Sequence, residues 1–195
     1  MTAGRIVILS FFLLLVILPI YWMFITSLKL PGDISTLDIQ YWPQNPTLDN
    51  YRAVLGGSGF PVYLANSLTV AVVSALIVLL VAIPGGYGLS RYQYKGKGLT
   101  MTAFLITQMI PLTLLLVPMF LIFSSIKLND TLTSLILLYV VLNVPFCLIT
   151  MQGFFMNIPT VIEEAARIDG CGRLETIMRV VLPVMLPGII AVFIF

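Results

Sequence analysis

The 195-residue chain is 59% hydrophobic and only 9% charged, with a mean hydropathy of +1.08, values outside the range of soluble globular domains. It reads as an all-α integral membrane protein, a polytopic helical bundle with four full spans and the start of a fifth, and its scattered net charge of +2 excludes a nucleic-acid-binding surface. With no His and no Cys pair at ligand spacing, a metal site would have to be built from carboxylates alone, so none is expected.

The first apolar run, residues 6–28, exceeds a secretory h-region and no small-residue cleavage site follows it, so it is predicted to be a retained span. Residues 29–61 then turn polar and are punctuated by Pro31-Gly32-Asp33, Asn45-Pro46 and Gly56-Gly57-Ser58-Gly59, the signature of a long loop. Within it, Thr47 can cap a short helix from Leu48 to Leu55.

Three further runs, about 62–89, 99–126 and 132–155, are each long enough to span. If the N-terminus is inside, Arg5, Arg91, Lys95, Lys97, Arg167, Arg173 and Arg179 lie on the inner side, against Lys29, Arg52 and Lys127 outside. Seven against three favours that orientation, which makes 29–61 external and 156–183 cytoplasmic. The last run, 184–195, would extend only about 18 Å as helix, so it is expected to be part of a fifth span in a chain that continues.

Pro84, Pro111, Pro118 and Pro145 interrupt the spans, and each frees a backbone carbonyl that must be satisfied by protein or by a water-filled path. Near them lie Gln108, Thr113, Tyr139 and Asn143, candidates either for a path taken by a neutral polar solute or for hydrogen bonds between helices. The spans hold no charged residue, which disfavours a proton or ion relay. Gly85, Gly86 and Gly88 allow close approach of a neighbouring helix.

The stretch EEAARIDGCGRLETIMRVVLP, Glu163 to Pro183, holds seven charges in a chain that has ten Lys and Arg and eight Asp and Glu. Thr160 and Glu163 have capping-box spacing, so a helix is predicted to start there with Val161, Ile162, Ala165 and Ile168 on one face and Glu163, Glu164 and Arg167 on the other. Gly170 can end it in the left-handed conformation, and a second amphipathic helix through Leu174, Ile177, Met178 and Val181 should run to a stop at Pro183. A helix this short needs a surface to hold its apolar face. The mixed-sign polar face and small Ala165 and Ala166 suit a partner protein better than a lipid surface.

This segment resembles the EAA loop of binding-protein-dependent ABC importer permeases through Glu164-Ala165-Ala166, Gly170, Val180 and Leu182-Pro183. NSLTVAVVSALIVLLVAIPGGYGLSRYQYKGKG, MIPLTLLLVPMFLIF and LNDTLTSLILLYVVLNVPFCLITMQGFFMNIPTVIEEAARIDG are similar to the carbohydrate branch, in particular the smaller permease subunit of maltose-type importers. Val180 stands where that pattern usually has Ile, Cys171 where Ala is common, and GYGLSR replaces a more Ala-rich string. The resemblance implies a six-span subunit of the cytoplasmic membrane that imports a carbohydrate or another delivered solute. It also implies a second permease subunit, a dimer of ATP-binding subunits that hold ATP and Mg, and an extracytoplasmic solute-binding protein. Glu163, Glu164, Ala165, Ala166, Asp169 and Gly170 would form the ATPase-coupling helix and its turn, and this chain, which lacks a phosphate-cradling loop, would not be an enzyme. An ATP-independent secondary transporter is the alternative.

Overall fold

The computed structural model describes residues 2–36 and 39–195, so positions 37 and 38 of the expected 29–61 loop lie outside the described residues. Its contacts divide the chain into two units, residues 1–65 and 66–195.

The first unit is built on α1 (Thr2–Ser27), where no side chain from Ile6 to Phe24 is buried. Such a bare apolar cylinder suits lipid or other membrane helices. At its end the polar loop folds back. Asn50 Nδ2 donates to the carbonyls of Ser27 at 2.9 Å and Lys29 at 2.7 Å, satisfying acceptors that the end of a helix leaves open. Lys29 is buried with its Nζ 2.8 Å from the Gln40 carbonyl and 4.7 Å above the Trp22 ring. The loop carries two short helices, α2 (Pro31–Ile34) and α3 (Asp49–Gly57). Helix α3 starts one residue later than expected, with Leu48 rather than Thr47 at the capping position, although Thr47 Oγ1 still accepts from the Asp49 amide at 3.1 Å.

Helix α4 (Phe60–Arg91) begins in the first unit and continues through the second. There α7 (Leu132–Met156) packs along it. A Cβ on Gly86 would lie 2.6 Å from that of Met151 and 3.0 Å from the Gln152 amide nitrogen, so this glycine is required by the closeness of the two backbones, whereas one on Gly85 would meet only the tip of the Leu148 side chain. Gly88 faces open space and has no such role. The core joins Val78, Leu79 and Ala82 of α4 to Cys147, Met151 and Phe155 of α7 and to Val181, Met185 and Val192 further on. Lipid tails are as apolar as these side chains, so close packing rather than transfer from water holds them.

The third apolar run departs from the straight span expected over 99–126. It forms α5 (Lys97–Met109) and α6 (Leu112–Ser125), bent by 93° at Ile110-Pro111. Pro111 has no amide hydrogen to donate and pushes Ile110 into extended geometry at φ −75 and ψ 119, which ends α5. With 13 and 14 residues, each piece is about 20 Å long and too short to cross alone. Helices α4 and α7 run parallel: Ser74, midway along α4, lies against Ile136 near the start of α7, and Tyr87 lies against Phe155 near both ends. The chain therefore has to return to the starting side between Arg91 and Leu132.

Beyond α7 come α8 (Thr160–Ile168), α9 (Arg173–Thr176), a π-helical turn Ile177–Val181 and α10 (Leu182–Ile194). Pro183 does not stop the second amphipathic helix; the chain passes through it into α10. The Leu182 amide donates to the Ile177 carbonyl, five residues back, and this widened turn relieves the clash that a proline ring makes with the carbonyl four residues before it. Helix α10 then runs antiparallel to α7, with Gly188 against Phe154 and Phe195 stacked on Phe146 at 4.4 Å.

Candidate functional site

Helix α8 stands where α4 and α7 both end. It starts as the proline at 159 sets an extended entry, and the expected capping box does not form: Thr160 makes no side-chain cap bond. Glu163 is turned away from the helix terminus because a stronger partner is in reach. Its Oε1 accepts from Arg91 Nε at 2.7 Å and its Oε2 from the Tyr87 hydroxyl at 2.7 Å, and the residue is only 3% exposed. Arg91 also donates through its second terminal nitrogen to the Ile158 carbonyl at 2.9 Å. A buried carboxylate is tolerable when a cation and a hydroxyl replace its water in this way. Arg167, one turn on along the polar face of α8, sits at 3.8 Å with its side chain 49% exposed and adds little.

Neighbouring residues point elsewhere. Glu164, Ala165 and Asp169 are exposed, while Ala166 is buried beneath the helix. Val161 is 67% and Ile168 85% exposed, so the apolar face predicted for this helix is present and uncovered. Gly170 has φ +89, and the amides of Gly170 and Cys171 donate to the Arg167 and Ala166 carbonyls at 3.1 and 3.0 Å. That pair of bonds is a Schellman cap, which demands the left-handed residue the sequence supplies. The second helical segment starts on the amide and hydroxyl of Thr176, both bonded to the Gly172 carbonyl, at 2.8 and 3.0 Å.

The solute-path candidates fall into two places. Tyr139 and Asn143 line a cavity of about 400 Å³ between α4, α7 and α10, together with Asn66, Ser67 and Ser74. Asn143 Nδ2 donates to the Tyr139 carbonyl at 2.8 Å. Gln108 and Thr113 do not line it; they flank the α5–α6 break, Gln108 Nε2 reaching the Leu142 carbonyl at 3.4 Å and Thr113 lying exposed. Neither Tyr87 nor Arg91 is predicted from the sequence to touch α8; there Arg91 serves only to orient the chain. The signal available was a tyrosine and a lone cation one helical turn apart at the end of a long apolar run.

Residues 82–195, from the second half of α4 onward, match the family described as the binding-protein-dependent transport system inner membrane component. The chain belongs to this family. Among its relatives, the diacetylchitobiose uptake system permease protein DasC of Streptomyces coelicolor is 31% identical over 92% of this chain and 65% of its own length. The sulfoquinovosyl glycerol transport system permease protein SmoH of Agrobacterium fabrum is 35% identical over 88% and 60%, and the trehalose transport system permease protein SugB of Mycobacterium tuberculosis 33% identical over 92% and 66%. The chain thus spans less than two thirds of the length of these permeases. In fold it is similar to a chain of a bacterial ABC transporter involved in the import of the acidic polysaccharide alginate, with a TM-score of 0.81 at 23% identity, over 99% of this chain and 68% of that one. The chain is accordingly a multi-pass membrane component of a transport system, with α8 to Leu182-Pro183 inside the segment that defines the family.

Proposed function

We propose that the chain is a translocation subunit of an ATP-driven importer that carries a carbohydrate across the cytoplasmic membrane, with α8 as the helix that couples it to a separate ATPase. The observation that carries this reading is the uncovered apolar face of α8, Val161, Ile162, Ala165 and Ile168, on a helix fixed to α4 from behind and closed by Gly170. The names of the relatives, which are permeases for diacetylchitobiose, sulfoquinovosyl glycerol and trehalose, support a carbohydrate as the solute. Glu164, Ala165, Asp169 and Gly170 face or shape the docking surface, whereas Glu163 works behind it.

ATP and its Mg belong to a dimer of ATP-binding subunits. A second permease subunit completes the pore, and a solute-binding protein delivers the solute on the outer side. The excess of Arg and Lys at the α8 end supports a cytoplasmic N-terminus and a cytoplasmic α8. Irregular backbone at membrane depth is tolerated where it lines water or is covered by protein. The α5–α6 break with Gln108 and Thr113, and the cavity with Tyr139 and Asn143, are on that ground the parts of this subunit that face the solute path.

The test is purification of the intact complex from native membranes, followed by reconstitution into vesicles. An ATP-binding chain should copurify, and a carbohydrate presented with the binding protein should stimulate ATP hydrolysis and accumulate inside. Accumulation that proceeds without ATP and without a second chain would establish the secondary transporter instead.

A further inference from the structure

Three side chains bridge α8 and α4. Arg91, the last residue of α4, fastens that helix both to Glu163 of α8 and, through the Ile158 carbonyl, to the turn that leads into α8. Tyr87, one turn earlier, bonds the other oxygen of the same carboxylate while its ring packs edge-on against Phe155 of α7 at 5.5 Å. The carboxylate therefore sits at the meeting point of α4, α7 and α8. Its neighbour Glu164, about 100° round the helix, is exposed. Two adjacent glutamates thus have opposite assignments, one to a partner and one to the spans.

We infer that Glu163 is a positioning residue that makes α8 and the end of α4 move as one body, so that displacement of α8 becomes displacement of a span. Resting on the importer reading above, this assigns the transmission step to the Tyr87-Arg91-Glu163 cluster rather than to the docked surface. Two atoms of one carboxylate held from two positions of the same helix resist both sliding and rotation, which a single ion pair would not. Without the tie, α8 can follow its ATPase while α4 lags, and ATP is hydrolysed with less solute moved.

The experiment uses the full complex in vesicles carrying Glu163→Gln, Glu163→Ala or Tyr87→Phe, and reads solute accumulated per ATP hydrolysed. In parallel, spin labels at Tyr94→Cys and Thr160→Cys, both exposed positions, report the distance between the α4 end and α8, with Cys147→Ser and Cys171→Ser removing the native thiols. Glu163→Ala should lower solute per ATP by roughly 5–150-fold, the range of coupling between linked sites, and broaden the label distance. Glu163→Gln and Tyr87→Phe, which keep part of the bonding, should fall between it and the native complex. Native solute per ATP with an unbroadened distance in Glu163→Ala overturns the inference; should that variant fail to assemble, the same result in Glu163→Gln does so. Failure of the importer reading looks different: the native complex itself would show no ATP-coupled accumulation, while the label distance would still report whether the tie holds.

Discussion

Arg91 Nε and Glu163 Oε1 meet at 2.7 Å although 72 residues separate them in sequence, and their side chains are 13% and 4% exposed. Removing one partner of such a pair strands the other charge in a poor solvent. Arg91→Met should therefore destabilise the chain by about 3–5 kcal/mol, while Arg91→Met combined with Glu163→Met should recover most of that loss. Denaturant unfolding in mild detergent gives both values. A double variant as unstable as the sum of its single changes would mean that the two side chains act independently.

The glycines of α4 make a second contrast. Gly86→Ala puts a methyl group 2.6 Å from the Met151 Cβ and 3.0 Å from the Gln152 amide nitrogen, neither of which is the free end of a flexible side chain. Separating α4 from α7 to fit it should cost about 1–3 kcal/mol. At Gly88 nothing lies within 4 Å, and alanine there should be neutral or stabilising by up to about 1 kcal/mol, its advantage in helix propensity. Thermal unfolding of the two variants side by side tests the pair; equal shifts would show that the helices are not in close contact at Gly86.

Gly170 carries the turn after α8 at φ +89, a conformation a β-branched residue resists. Gly170→Val should insert in the membrane normally but lose about 1–3 kcal/mol of local order in the cap. Retention of the ATPase during purification and solute uptake should both fall. Gly172, at φ −67, has an ordinary backbone, so Gly172→Ala should leave both unchanged. Uptake equal to the native level in Gly170→Val would remove the turn from the coupling step.

What could be read from the sequence depended on how local its cause was. Helices α1, α4 and α7 follow from runs of apolar residues alone, and the left-handed Gly170 follows from the residue types on either side of it. The break in the third run was not legible in the same way. Pro84, Pro118 and Pro145 remain inside helices while Pro111 ends one, so the proline marks a place where a helix can yield and tertiary packing decides whether it does. The main partners of Glu163 were not legible because two local ones, the helix start at Thr160 and Arg167 one turn on, fit its spacing; the first is not used and the second is kept only weakly, at 3.8 Å. The partners it takes, Tyr87 and Arg91, lie 76 and 72 residues earlier. Only the folded arrangement of α4 against α7 brings them near.

The two adjacent glutamates give the sharpest separation of surface from support. Consecutive helical positions point about 100° apart, so when Glu163 turns to the spans Glu164 is left exposed. An exposed residue without a structural partner should alter stability by no more than about 0.5 kcal/mol. Glu164→Lys is therefore expected to insert, fold and unfold like the native chain, yet to lose its ATPase during purification because the charge offered to the partner is reversed. The loss should be relieved in higher salt if simple repulsion causes it. Unfolding temperature and ATPase retention measured on the same preparation check this. A large drop in unfolding temperature would mean that Glu164 supports the fold, and unaltered retention at low salt would mean that α8 docks without it.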